Sequence, residues 1–145
     1  MNWIRLAIAP PLLLFAYQLV LDWVNLFPWN DLAAKSARTR ALEFVLNYSP
    51  LLLIAYAFWR PSRVSELYGL LGSVAYLLGH LNAWWRPYLL GATPREQAEY
   101  QAQFARTHKF LPARRDHPVP DAAHIGVGLL CLLLVLGSGL AYWWG

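Results

Sequence analysis

Charge is what this chain has least of. Only 14% of its 145 residues are Asp, Glu, Lys or Arg, where an ordinary soluble domain carries about 25%. Several long stretches are almost free of charge, which excludes a soluble globular fold. Cysteine is nearly absent as well. The one thiol, Cys131, sits inside an apolar run. A single cysteine forms no internal disulfide, so the chemistry of paired-cysteine membrane oxidoreductases is excluded, and Cys131 reads as a small packing residue. There is no basic helix or RNA-binding motif, so the net charge of +4 does not point to nucleic acid. Neither an HExxH motif nor the Glu-x-x-His pair of di-iron bundles occurs, and no internal repeat or low-complexity tail is visible. The N-terminal apolar stretch also lacks a cleavage site: "AYQLVLDW" places large residues where a small-x-small pattern would stand. That stretch is expected to remain as a first transmembrane helix.

What the chain has is apolar surface. Its residues are 58% apolar and 15% aromatic. A bilayer core is crossed by about 20 mostly apolar helical residues, and four segments come close: about 3–24, 41–59, 66–85 and 122–144. The expected fold is therefore an all-α membrane protein, one integral domain over residues 1–145, with four transmembrane helices in an up-down-up-down bundle. Pro10, Pro11 and Pro50 fall inside the first two spans and are expected to kink or unwind them. Trp prefers the membrane–water boundary. Trp3, Trp59, Trp143 and Trp144 fall at one face of such a bundle, and Trp23, Trp29, Trp84 and Trp85 at the other. The first and third loops carry Lys35, Arg38, Arg40, Arg86, Arg95, Arg106, Lys109, Arg114 and Arg115, against Arg5, Arg60 and Arg63 opposite. The positive-inside rule then predicts a plasma (inner) membrane protein with cytoplasmic long loops and both termini outside.

The third loop contains a helix signal. In "ATPREQAEYQAQFARTHKFLP", Thr93 is an N-cap, Pro94 opens the helix and Glu96 completes a capping box. Tyr100, Phe104, His108 and Leu111 recur at helical spacing, which predicts an amphipathic interfacial helix over about 94–110, ended by Pro112. Asp121 is placed to cap the fourth span.

Helical spacing also gives each span a polar or small-residue face: Pro11, Phe15, Gln18, Asp22 and Asn25; Glu43, Asn47, Pro50 and Ile54; Gly69, Gly72, Ser73, Tyr76, His80 and Ala83; and His124, Gly128, Cys131, Val135, Ser138 and Tyr142. These faces should point inward. Antiparallel threading brings Gln18, Asp22, Glu43, Asn47, His80, Asn82 and His124 into one leaflet, beneath loops bearing His108 and His117. Ionisable groups within a span are costly and either pair or serve a function. The expectation is a polar pocket binding a metal, haem or small amphipathic substrate. His80 and His124 are candidate haem or divalent-metal ligands. Glu43 and Asp22 are further candidate metal ligands or an acid and base. His108 is a candidate reaching down from the loop helix, and Gln18, Asn47, Asn82 and Arg86 are in support. The plainer readings are salt bridges of Asp22 and Glu43 to Lys35, Arg40 or Arg86, histidines bonded to those carboxylates or to backbone, and Arg86 meeting an acid or the headgroups. Two other functions fit the same residues, a small proton-coupled transporter and an accessory subunit of a membrane complex. Expected partners are the lipid bilayer and either a second copy or a membrane protein.

Overall fold

The computed structural model describes residues 3–145, whose regular structure is helical, with no strand among them. Seven α-helices run along the described chain: α1 Trp3–Leu6, α2 Ala9–Trp23, α3 Ala37–Trp59, α4 Arg63–His80, α5 Arg86–Leu90, α6 Pro94–Gln103 and α7 Ala122–Trp144. Three stretches are long and apolar enough to cross a membrane, Trp3–Trp23, Ala37–Trp59 and Ala122–Trp144, and by length and composition they mark an integral membrane protein. Most of their Leu side chains point outward, with Leu46 at 69% and Leu53 at 68% exposure. In water such surface would drive association, whereas against lipid it is the ordinary state. The 63–80 helix is not among the three. It opens with Arg63 and Glu66, and this polar first turn lowers its apolarity.

The prolines break the first span as expected but leave the second unbroken. The first segment breaks at Ala7 and Ile8, just ahead of Pro10 and Pro11, which stand in the first turn of α2 where a missing N–H costs nothing. α3 runs without interruption through Pro50 and starts earlier than hydropathy suggests, because Ser36 caps it by accepting from Thr39 N at 3.1 Å. α4 continues into a π-turn at Leu81–Trp85, where Arg86 N bonds to Leu81 O, and then directly into α5.

α2 packs on α3 and α7, and α4 packs on α3 and α7. Contacts step in opposite directions along the α3–α4 and α4–α7 pairs. Phe58 lies against Gly69 and Ile54 against Gly72 between α3 and α4. Arg63 reaches the Tyr142 carbonyl at one end of the α4–α7 pair, Ser73 and Ser138 share a buried hydrogen bond of 2.8 Å midway, and His80 sits over Gly128 beyond it. Leu14, Leu51, Ile54, Phe58, Val127, Cys131 and Leu134 form the core. The buried stripe of α7 is Val127, Cys131, Leu134, Ser138 and Ala141, so the expected face is right at Cys131 and Ser138 and one position off elsewhere. That of α3 centres on Tyr48, Leu51, Ile54, Ala55 and Phe58, so Tyr48 rather than Asn47 turns fully inward.

Candidate functional site

The large cavity lies at the end of the helices where α2 finishes, α3 and α7 begin, and α4 passes into its π-turn. It measures about 1020 Å³. Gln18, Asp22, Glu43, Asn47, His80 and His124 all border it, together with Lys35, Trp84 and Asp121. Its apolar wall comes from α3 and α4, through Leu42, Leu46, Pro50, Gly72, Ala75 and Gly79.

The expected quartet divides into two groups. In the first, Lys35 stands between two carboxylates, 2.8 Å from Glu43 Oε2 and 3.7 Å from Asp22 Oδ1. The Tyr48 hydroxyl donates to Asp22 Oδ2 at 2.9 Å. Asp22 and Glu43 are thus held by the lysine of the first loop, which is one of the plainer readings of the sequence. Gln18 pairs with the Tyr76 hydroxyl, which also approaches the Asn47 carbonyl at 3.2 Å.

The second group is centred on a residue that the sequence singled out only as a cap. Asp121 is 1% exposed. Its Oδ1 accepts from His124 N at 2.9 Å and lies 2.6 Å from His124 Nδ1, and its Oδ2 accepts from the Thr107 hydroxyl at 2.8 Å. Burial opposes ionisation of this carboxyl. The hydrogen bonds and charge of His124, with Thr107, outweigh that penalty and hold its pKa below the usual carboxylate value. With Nδ1–H committed to the carboxylate, neutral His124 keeps a lone pair on Nε2. Trp84 stacks on the same ring with centroids 3.6 Å apart, and Phe104 meets it edge-on at 5.2 Å. The i, i+3 spacing of Asp121 and His124 across a helix start is the signal that could have revealed the pair.

His80 is 8% exposed and borders the cavity. Its Nε2 is buried with no hydrogen-bond partner, and it lies 3.0 Å from where a Cβ would stand at Gly128. Gly128 is one helical turn beyond His124 on α7, so the two imidazoles come to the same side of that helix. Among the described residues, no three His, Cys, Asp or Glu side chains form a group able to hold a metal ion. His80, His124, Glu43 and Asp22 therefore do not converge as a single ligand set.

Three expectations need correction. α6 ends at Gln103, not near residue 110. Lys109 turns back and donates to the Phe104, Ala105 and Thr107 carbonyls, closing a compact turn where the sequence periodicity suggested more helix. His108 is consequently exposed and packs beside Trp29 and Phe110, behind the cavity-bordering Trp29 and outside the lining itself. Its backbone pins the turn to both neighbours, with His108 N on Pro28 O and Ala122 N on His108 O, each at 2.8 Å. Asn82 is exposed and accepts from Arg86 Nε at 3.1 Å, and Arg86 also pairs with Glu96. Asn82 and Arg86 therefore brace α5 against α6 and do not border the cavity. The Thr93–Glu96 capping box and the Asp121 cap are present as expected. The 104–109 turn is tied down further by Arg106, whose Nη2 lies 2.6 Å from Asp31 Oδ2.

Comparisons with protein-family models, with characterised proteins and with solved structures find no match.

Proposed function

We propose that this protein spans the membrane four times and binds a small amphipathic molecule in the cavity beneath one bilayer surface. In this reading α4, the π-turn and α5 together make the third span, in up-down-up-down order with α2, α3 and α7. The charges of Arg63 and Glu66 then lie at the interface, and the basic long loops face the cytoplasm of a plasma membrane. The molecule's polar head meets His80, His124 and the Lys35 cluster, and its apolar part follows the wall of Leu46, Pro50, Gly72, Ala75 and Gly79.

One observation carries the reading. A cavity of about 1020 Å³ is bordered by two imidazoles, His80 and His124, and by a wall of small and aliphatic residues. Ligand sites combine a mostly apolar lining with a few placed polar groups. The metal branch of the sequence expectation has less support, since the four candidate ligands fall into two groups.

The test uses purified protein in nanodiscs and a monoacylglycerol whose acyl chain carries a nitrobenzoxadiazole fluorophore. Saturable binding is expected, weakened about tenfold or more by His80→Ala, which removes an imidazole from the polar edge of the cavity. Ala75→Trp, which fills the apolar wall, should also abolish it. Binding that is indifferent to both changes would remove the cavity from consideration.

A further inference from the structure

We infer that His124, backed by Asp121, is the general base of a hydrolytic centre that cleaves carboxylic esters of long-chain acids, with water as nucleophile. The inference rests on the reading of the cavity as an amphipath site and adds a reaction to it. Three features point this way. Asp121 is sealed from solvent and fixes the His124 ring through Nδ1, 2.6 Å away. A carboxylate in this position orients an imidazole and stabilises its protonated form. Trp84 and Phe104 confine the ring further, and His124 borders the cavity, so the geometry leaves Nε2 for a bound reactant. His80, on the same side of α7, brings a second imidazole to the edge of the cavity, with its Nε2 buried over Gly128.

The six carboxylates that line the cavity are each engaged: Asp22 and Glu43 by Lys35, Asp31 by Arg106, Glu96 by Arg86, Glu99 by Arg95 and Asp121 by His124. The long-chain acid is chosen by the apolar wall of Leu46, Pro50, Gly72, Ala75 and Gly79.

The step balances without oxidant or reductant. His124 Nε2 takes a proton from water as the water oxygen bonds to the ester carbonyl carbon, and the C=O π pair moves onto oxygen. The tetrahedral species collapses, the bond to the alcohol oxygen breaks, and the His124 imidazolium returns its proton to the leaving alkoxide. Ester and water give acid and alcohol. Asp121 is a positioning residue and touches no reacting atom.

The same fluorescent monoacylglycerol in nanodiscs separates this inference from the binding reading. Wild type should release labelled fatty acid, and His124→Ala should reduce kcat by about 100-fold or more, the ordinary scale of a general base. Asp121→Asn should lower kcat comparably while KM and probe affinity stay within about twofold. His108→Ala, which alters an exposed ring outside the cavity, should change neither. Should Asp121→Asn fail to fold, wild type decides the matter with a long-chain bromomethyl ketone. The His124 Nε2 lone pair displaces bromide to form a C–N bond, and mass spectrometry should place the adduct on His124 and not on His108 or His117. Binding without hydrolysis, or full turnover in His124→Ala, or alkylation only at other histidines, overturns the base assignment and leaves the pocket. Absence of binding in wild type overturns both.

Discussion

At the scale of single residues, Asp121 carries the most consequence. It caps α7, receives Thr107 and positions His124. Its folded pKa is depressed, so the folded state binds that proton less tightly than the unfolded chain does. The resulting stability is present above the ordinary carboxylate value of about 3.9 and is lost as pH falls through the lower folded value. Asp121→Asn should therefore cost about 1–3 kcal/mol near neutrality, and the difference should shrink as the buffer is acidified below about pH 4. Thermal melts in detergent across that range measure it, and a difference that stays constant with pH would place the stabilisation elsewhere. The sequence made Asp121 legible only as a cap, because a cap is a local property. Its bond to Thr107 and its burial come from the return of the third loop, which no spacing rule encodes. The partnership of Lys35 with Asp22 and Glu43 was foreseeable as one salt bridge among several. His108 was misplaced because composition continued a helix that Lys109 closes by side-chain hydrogen bonds.

At the scale of elements, close packing between helices is set by where glycine is required. A Cβ at Gly69 would stand 2.6 Å from the Phe58 ring, whereas one at Gly139 would meet nothing within 4 Å. Mid-helix Gly→Ala gains up to about 1 kcal/mol of intrinsic propensity, and overpacking costs about 1–3 kcal/mol. Gly69→Ala should thus lower the melting temperature and Gly139→Ala should hold or raise it. Equal shifts in a paired thermal-stability assay would mean that α3 and α4 do not approach this closely. Helix existence was readable from hydropathy in every long segment, and the starts at Pro94 and Ala122 and the ends at Trp59 and Trp144 fall where expected. The starts at Ala37 and Arg63 lie earlier because Ser36 and Ser62 cap polar first turns that hydropathy does not count, and α6 stops short at Gln103. The inward stripes of α3 and α7 were offset by about one position, a shift that periodicity alone does not resolve when Leu occupies both faces.

At the scale of the whole molecule, the fold is a set of apolar helices that brings the polar side chains of the candidate site to one end. The proposed four-span threading predicts which loops share a compartment. In a Cys131→Ser background, Arg38→Cys and Glu99→Cys should react with a membrane-impermeant maleimide from the cytoplasmic side of inverted vesicles. Arg60→Cys should react only on intact cells. Labelling of Arg38→Cys and Arg60→Cys from the same side would overturn the threading. The common location of Gln18, Asp22, Glu43, Asn47, His80 and His124 at one cavity was legible from the order of hydrophobic runs, since antiparallel neighbours bring span ends together. Which of them touch was not legible, because contact depends on rotation about each axis.

That rotation is altered by the π-turn at Leu81–Trp85. Such a turn inserts one residue into the helical count and offsets everything after it by about 100° relative to an unbroken α-helix. Trp84 stacks on His124 from within it. Deleting one residue there would leave every functional group chemically intact and point the indole elsewhere, so the aim of the aromatic shelf is stored as a counting irregularity in the backbone.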